Sequence, residues 1–214
     1  GLGATGPAER ARALQLARAG LAADRGNVHA YTVLGFCYLW HQMWDLARNC
    51  FEQALALNPY NPVRLNEAAA GMVCLGEFAR ARALLDMSLN LQQFPDDAFY
   101  EDSGRLRLLE SDNERARIEL ESIAAGSIWA DLYLAICELR LGRDSGRERF
   151  GRWRERVTRC WYKVPAPSEA EISDWIRRHH PWPGEAGELF FTDIESALRP
   201  PKMPSPHAAT RARQ

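Results

Sequence analysis

The chain has 214 residues, 46% hydrophobic and 26% charged, a composition that excludes a disordered chain and suits one ordinary domain or two small ones. Its 27 basic and 28 acidic residues leave a formal net charge of -1, so the global basic excess common among nucleic-acid binders is missing. No run approaches the roughly 20 apolar residues that span a bilayer, and residues 1–27 lack the apolar core of a signal peptide. The five cysteines (Cys37, Cys50, Cys74, Cys137 and Cys160) are odd in number, contain no CxxC pair and mostly lie in apolar helical patterns, where Cys acts as a small hydrophobe. They predict a reducing, cytoplasmic compartment.

In chain order, residues 8–24 supply one helix, with Ala13, Ala17 and Gly20 along it. The first residue is Gly rather than Met, so this lone helix is expected either to continue an upstream array or to cap one. Residues 28–61 read VHAYTVLGFCYLWHQMWDLARNCFEQALALNPYN. Tyr31, Leu34, Gly35 and Tyr38 recur at helical spacing, followed by Ala47, Phe51, Ala54 and Pro59. Gly35 permits close approach of two helices, Ala47 and Ala54 are small where backbones cross, and Pro59 after Asn58 stops the second helix.

Residues 62–95 repeat the frame with Leu65, Ala68, Ala69, Met72, Gly76, Phe78, Ala81, Leu85 and Ser88. Residues 97–126 follow with Tyr100, Ser103, Gly104, Ala116, Leu120 and Ile123, although the turn Ser111-Asp112-Asn113 lacks Gly. Residues 128–163 form a degenerate unit, with Arg147 and Gly151 where the pattern calls for Ala and Phe. Val164-Pro-Ala-Pro167 is a linker. Residues 168–180 form a short amphipathic helix (Ile172, Trp175, Ile176, His179) opened by a Ser168/Glu171 capping box. After the break Pro181-Trp-Pro-Gly184, residues 185–198 make a last helix with Leu189, Phe190, Ile194 and Leu198, and residues 200–214 are an irregular tail.

The 34-residue period with these signature residues resembles the tetratricopeptide repeat (TPR). The resemblance covers roughly residues 8–163. It implies an all-α fold: a right-handed superhelical solenoid of antiparallel helix pairs over 1–163, with 164–199 as a helical cap for its apolar end. Ile176-Arg-Arg-His-His-Pro-Trp182 and Ile194-Glu-Ser-Ala-Leu-Arg199 are loosely similar to the end of TPR regions that follow bacterial class III adenylate cyclase or winged-helix domains.

Motifs for catalysis are missing. His179 and His180 are adjacent, so on a helix they point about 100° apart and read as helix C-terminal groups rather than metal ligands. Asp96-Asp97 and Glu101-Asp102 read as exposed acids near helix starts. The segment Gly1-Leu-Gly-Ala-Thr-Gly6 lacks the strand and Lys of a phosphate loop. No enzyme activity, metal or cofactor is expected.

What remains is a surface. In the TPR family, ligands contact first-helix positions 2, 5, 9, 12 and 13. Carried over, these select His29, Thr32, Phe36, Asn66, Glu101 and Arg105 as the candidate binding groove, with Glu101 and Arg105 also able to neutralise one another. Leu39 and Trp40 are groove or inter-repeat core. Thr32 and Phe36 replace the Lys and Asn of chaperone-binding carboxylate clamps. Residues 143–163 carry eight bases and three acids, including Trp153 and Trp161 among them, and could touch phosphate. With 25 of 27 bases being Arg, composition bias is the simpler account, and nucleic acid is disfavoured as a partner. The expected function is a non-catalytic scaffold for a protein or peptide ligand, another domain of the same chain, or a second copy in a homo-oligomer. The alternative is a regulatory sensor region of a multidomain adenylate cyclase or transcription regulator.

Overall fold

Asn27, Asn61, Asp96 and Ser127 each stand one residue before a helix and accept a hydrogen bond from a first-turn amide: Ala30 (3.0 Å), Arg64 (3.1 Å), Phe99 (2.9 Å) and Trp129 (3.1 Å). Such caps satisfy amides that the helix itself leaves without acceptors. In the computed structural model, which describes residues 6–161 and 165–199, α1 (Pro7–Ala23) precedes four antiparallel pairs. These are α2 (Val28–Trp40) with α3 (Trp44–Leu57), α4 (Pro62–Cys74) with α5 (Phe78–Asn90), α6 (Asp97–Leu109) with α7 (Asn113–Glu121), and α8 (Ile128–Arg140) with α9 (Asp144–Cys160). Two further helices, α10 (Glu169–His179) and α11 (Gly184–Leu198), complete the chain; no strand occurs among the described residues. The fold is thus an all-α solenoid of helix pairs.

Within a pair, close approach is set by missing side chains. A Cβ on Gly35 would stand 2.9 Å from the Phe51 ring, and one on Gly71, in the next first helix, 2.3 Å from it. Phe51 is fully buried between them, alongside Ala47 and Ala54. Each turn between paired helices uses one residue in the left-handed region: Gln42 (φ 57°), Gly76 (76°), Ser111 (64°) and Gly142 (69°). Two of these positions therefore hold side chains in a conformation that favours glycine.

The fourth pair corrects the sequence frame. Gly146, Phe150 and Trp153, not Arg147 and Gly151, face the core. At the start of α9 the Gly146 amide donates to the Arg143 carbonyl three residues back (3.1 Å), whereas the matching Ala47 amide donates four back, to Met43 (3.0 Å). The tighter first turn rotates α9 by one position. A Cβ on Gly146 would lie 2.7 Å from the Leu139 backbone nitrogen, so α8 and α9 touch there through backbone.

The capping box of α10 forms as expected, with Ser168 and Glu171 exchanging hydrogen bonds. Ile172, Trp175, Ile176, Phe190, Phe191, Ile194 and Leu198 bury their side chains. These helices do more than cover the last pair: Trp175 stacks on Trp129 of α8 (centroids 4.6 Å apart), while Pro183 comes within 3.1 Å of a Cβ placed on Gly76, beyond the end of α4. The segment joining α10 to α11 consequently crosses the face formed by the first helices.

Candidate functional site

The six groove residues occupy the first helices but do not share one open surface. His29 is exposed at the start of α2, and its Nδ1 accepts a hydrogen bond from the Arg64 guanidinium (2.9 Å), which also pairs with Glu67 (2.6 Å). Thr32 is buried and its hydroxyl turns back to the Val28 carbonyl (3.4 Å). Phe36 packs edge-on against Phe51 (5.2 Å between centroids) and joins the core. Asn66 is buried, with its Oδ1 lacking a hydrogen-bond partner. Leu39 is fully buried, and Trp40 half-buried against the core.

Two expectations about acids need correction. Arg105 pairs with Asp102, three residues before it on α6 (2.7 Å), rather than with Glu101. Asp102 is not an exposed helix-start acid. Its side chain is 18% exposed, and burial pushes its carboxyl up to about 6 although Arg105 opposes the shift. Asp96 and Asp97 serve the backbone: Asp96 caps α6, and Asp97 accepts from the amides of Ala124 and Ala125 (3.0 and 2.8 Å), fixing the loop before α8.

Arg105, itself 13% exposed, lies at the centre of a polar cluster beneath the C-terminal segment. Its charge acts on Cys74, Tyr133 and His180, and its Nε is buried without a hydrogen-bond partner. His180 is enclosed by the rings of Trp129, Tyr133, Trp182 and Phe190, at centroid distances of 4.5, 5.7, 4.6 and 6.1 Å. Its Nδ1 lies 2.9 Å from the Ile176 carbonyl, which can only accept, so Nδ1 carries the proton. Nε2, 2.6 Å from the Tyr133 hydroxyl, then accepts from it. Burial lowers the His180 pKa to about 3, and the ring is neutral. Burial likewise raises the Cys74 thiol to about 11. Neither group changes charge near neutral pH.

Sequence reasoning missed Tyr133, His180 and Trp182 as parts of this face. Both histidines sit at the end of α10 and meet carbonyls of its last turn, His179 that of Trp175 (2.8 Å) and His180 that of Ile176 (2.9 Å), but His180 is in addition enclosed by the aromatic rings of this face. The available signal was aromatic density: His-His-Pro-Trp-Pro is short, irregular and too apolar to remain in solvent. Among the described residues, no three His, Cys, Asp or Glu side chains are grouped to hold a metal, and no helix is long and apolar enough to cross a membrane. The glycine-rich start, Gly1 to Thr5, and the tail from residue 200 lie outside the described residues.

First helices that begin at residues 28, 62, 97 and 128, each paired with a second helix across small residues, make a solenoid with the fold of a TPR array. Solved structures agree at the level of fold. The type IV pilus biogenesis factor PilW superposes with a TM-score of 0.60 over 94% of this chain and 91% of its own, at 16% identity. A tetratricopeptide repeat protein from Parabacteroides merdae gives 0.53 over 89% and 73%, at 18% identity. YrrB, a TPR protein with an unusual peptide-binding site, gives 0.51 over 92% and 100%, at 13% identity. None of these three is described as a cyclase or a winged-helix regulator. No protein-family model and no curated protein matches the chain.

Proposed function

We propose that this chain is a non-catalytic TPR scaffold that binds a protein segment across its concave, first-helix face. The observation that carries the reading is that this face already holds a segment: His180 and Trp182, from the break between α10 and α11, are buried against Trp129, Tyr133 and Cys74. The chain's own C-terminal segment thus acts as an internal ligand. The remaining strip, at the starts of the first helices, is left for a partner. It contains His29 and Ala98, both exposed, Val63, which is 45% exposed, and half-buried Glu101. An apolar side chain flanked by an imidazole and a carboxylate suits a short helix or extended peptide with one apolar anchor and polar register contacts. Thr32, Phe36 and Asn66 support this strip from beneath. Four of the five cysteines are buried free thiols, in keeping with a reducing, cytoplasmic setting.

Site-specific photo-crosslinking in the source cell tests the assignment. A crosslinker replacing Val63 should capture a partner protein, and one replacing Ile118, exposed on the second-helix side, should not. Capture only from position 118 would move the interface to the outer face, and capture from neither would remove the scaffold reading.

A further inference from the structure

α9 is the most arginine-rich helix of the chain, and most of its guanidinium groups are neutralised. Arg149 pairs with Glu138 (3.2 Å), Arg156 with Asp131 (2.6 Å), and Arg152 with Glu148 one turn earlier. Arg143, just before the helix, pairs with Glu114 (2.8 Å). The side chain of Arg147 has no ion-pair partner among the described residues, nor does that of Arg199 at the end of α11. Both border a cleft of about 440 Å³ between α9 and α11, together with Arg140 and Arg154.

The charge balance inside this cleft is one-sided. Four arginines line it against one carboxylate, Asp193. That carboxylate is occupied by the Arg140 Nε (2.7 Å), and Arg140 also donates to the Leu108 carbonyl (2.8 Å). Arg140 is 10% exposed, and its Nη2 is buried without a hydrogen-bond partner. Arg154 reaches Glu169 and the Leu198 carbonyl only at 3.4 Å. Arg147, Gly151 and Arg154 fall at i, i+4 and i+7, one face of α9. A Cβ on Gly151 would meet nothing within 4 Å, so the helix surface recedes between the two arginines. Leu139 and Phe150 form an apolar wall beside them.

Like charges do not converge on a recess without cost unless an anion offsets them. Guanidinium groups bind phosphoryl oxygens in paired, charge-assisted hydrogen bonds. The cleft volume lies within the roughly 300–1,000 Å³ typical of small-molecule sites. We infer that the cleft between α9 and α11 is a binding site for a phosphorylated organic molecule of nucleotide size, its phosphoryl group held by Arg147, Arg154 and Arg199 and its apolar part resting on Phe150 and Leu139. This site is separate from the first-helix groove. A ligand here would bridge the repeat array to α11, and so would fasten the C-terminal segment in place.

The full chain should be titrated calorimetrically at constant ionic strength with adenosine monophosphate, adenosine triphosphate, inorganic phosphate and citrate, with thermal melts in parallel. The nucleotides should bind and raise the melting temperature, and inorganic phosphate should bind at least about tenfold more weakly. The double variant Arg147→Gln/Arg199→Gln should lose about tenfold or more in nucleotide affinity with an unchanged ligand-free melt. Arg152→Gln, on the solvent side of α9, should bind as the wild type does. Three results would overturn the assignment: no nucleotide binding, equal affinity in the double variant, or phosphate or citrate binding as tightly as the nucleotides. If the double variant melts early, Arg147→Lys/Arg199→Lys replaces it. Retained charge without the planar fork should still weaken binding, and undiminished affinity there overturns the assignment as well. Because Val63 lies outside this cleft, the crosslinking result and the titration stand or fall independently.

Discussion

The Tyr133 hydroxyl donates to His180 Nε2 across 2.6 Å, tying α8 to the irregular segment between α10 and α11. The bond requires an unprotonated Nε2, and the aromatic rings around it offer no counter-charge. His180 is therefore a built-in source of acid sensitivity. Its native pKa of about 3 lies below the ordinary value near 6.5. Between the two, the unfolded chain binds a proton that the native state refuses, so stability falls as pH drops through this window. Asp102 acts with the opposite sign: raised to about 6, it favours the native state below about pH 4 and loses that contribution as pH rises through 6. The His180 share is isolated by comparison with His180→Gln. Wild type should lose about 2 kcal/mol relative to the variant between pH 7.5 and 5, read from urea midpoints. Parallel pH profiles would show that His180 is solvated.

Trp182 stands over Cys74 and is only 5% exposed. Trp182→Ala should cost about 3–5 kcal/mol and uncover the thiol. In a Cys160→Ser background, which removes the exposed cysteine, Cys74 should react with a thiol reagent far faster in the Trp182→Ala protein at pH 8. Equal rates would place the C-terminal segment off the first-helix face.

Gly146 and Gly20 are both helical, yet their surroundings differ. A Cβ on Gly146 would collide with backbone at 2.7 Å, whereas one on Gly20 meets nothing within 4 Å. Gly146→Ala should destabilise by about 1–3 kcal/mol as α8 and α9 are forced apart. Gly20→Ala should stabilise by about 0.5–1 kcal/mol through the lower entropy of the unfolded chain. Matching melting shifts in the two variants would return α9 to the unrotated register.

Gln42 and Ser111 occupy turn positions that Gly76 and Gly142 fill elsewhere in the array, with φ of 57° and 64°. An L side chain there costs roughly 1–2 kcal/mol, partly offset by the greater freedom glycine loses on folding. Gln42→Gly and Ser111→Gly should each add about 0.5–1 kcal/mol, visible as a higher melting temperature. A drop would mean that these side chains contribute contacts exceeding the backbone strain.

The repeat was legible in the sequence because its determinants are local. Gly35 and Phe51 are 16 residues apart and meet within one helix pair, so residue size at fixed offsets reports the crossing directly. The capping box at Ser168 acts over three residues and was equally readable. The one-position rotation of α9 was not, because it depends on a three-residue hydrogen bond at Arg143 that leaves the apolar count of the helix unchanged. Nor was the occupant of the first-helix face. Tyr133 and His180 are 47 residues apart, and no periodicity links them. Apolar spacing dictates that Trp175, Ile176, Phe190 and Ile194 be buried, but spacing carries no direction between elements. Whether the aromatic rings of the C-terminal segment cover only the end of the array or also enter its groove was decided by tertiary packing, which stacks Trp175 on Trp129 and brings His180 and Trp182 against Tyr133, contacts between residues too far apart in the chain to leave a local pattern.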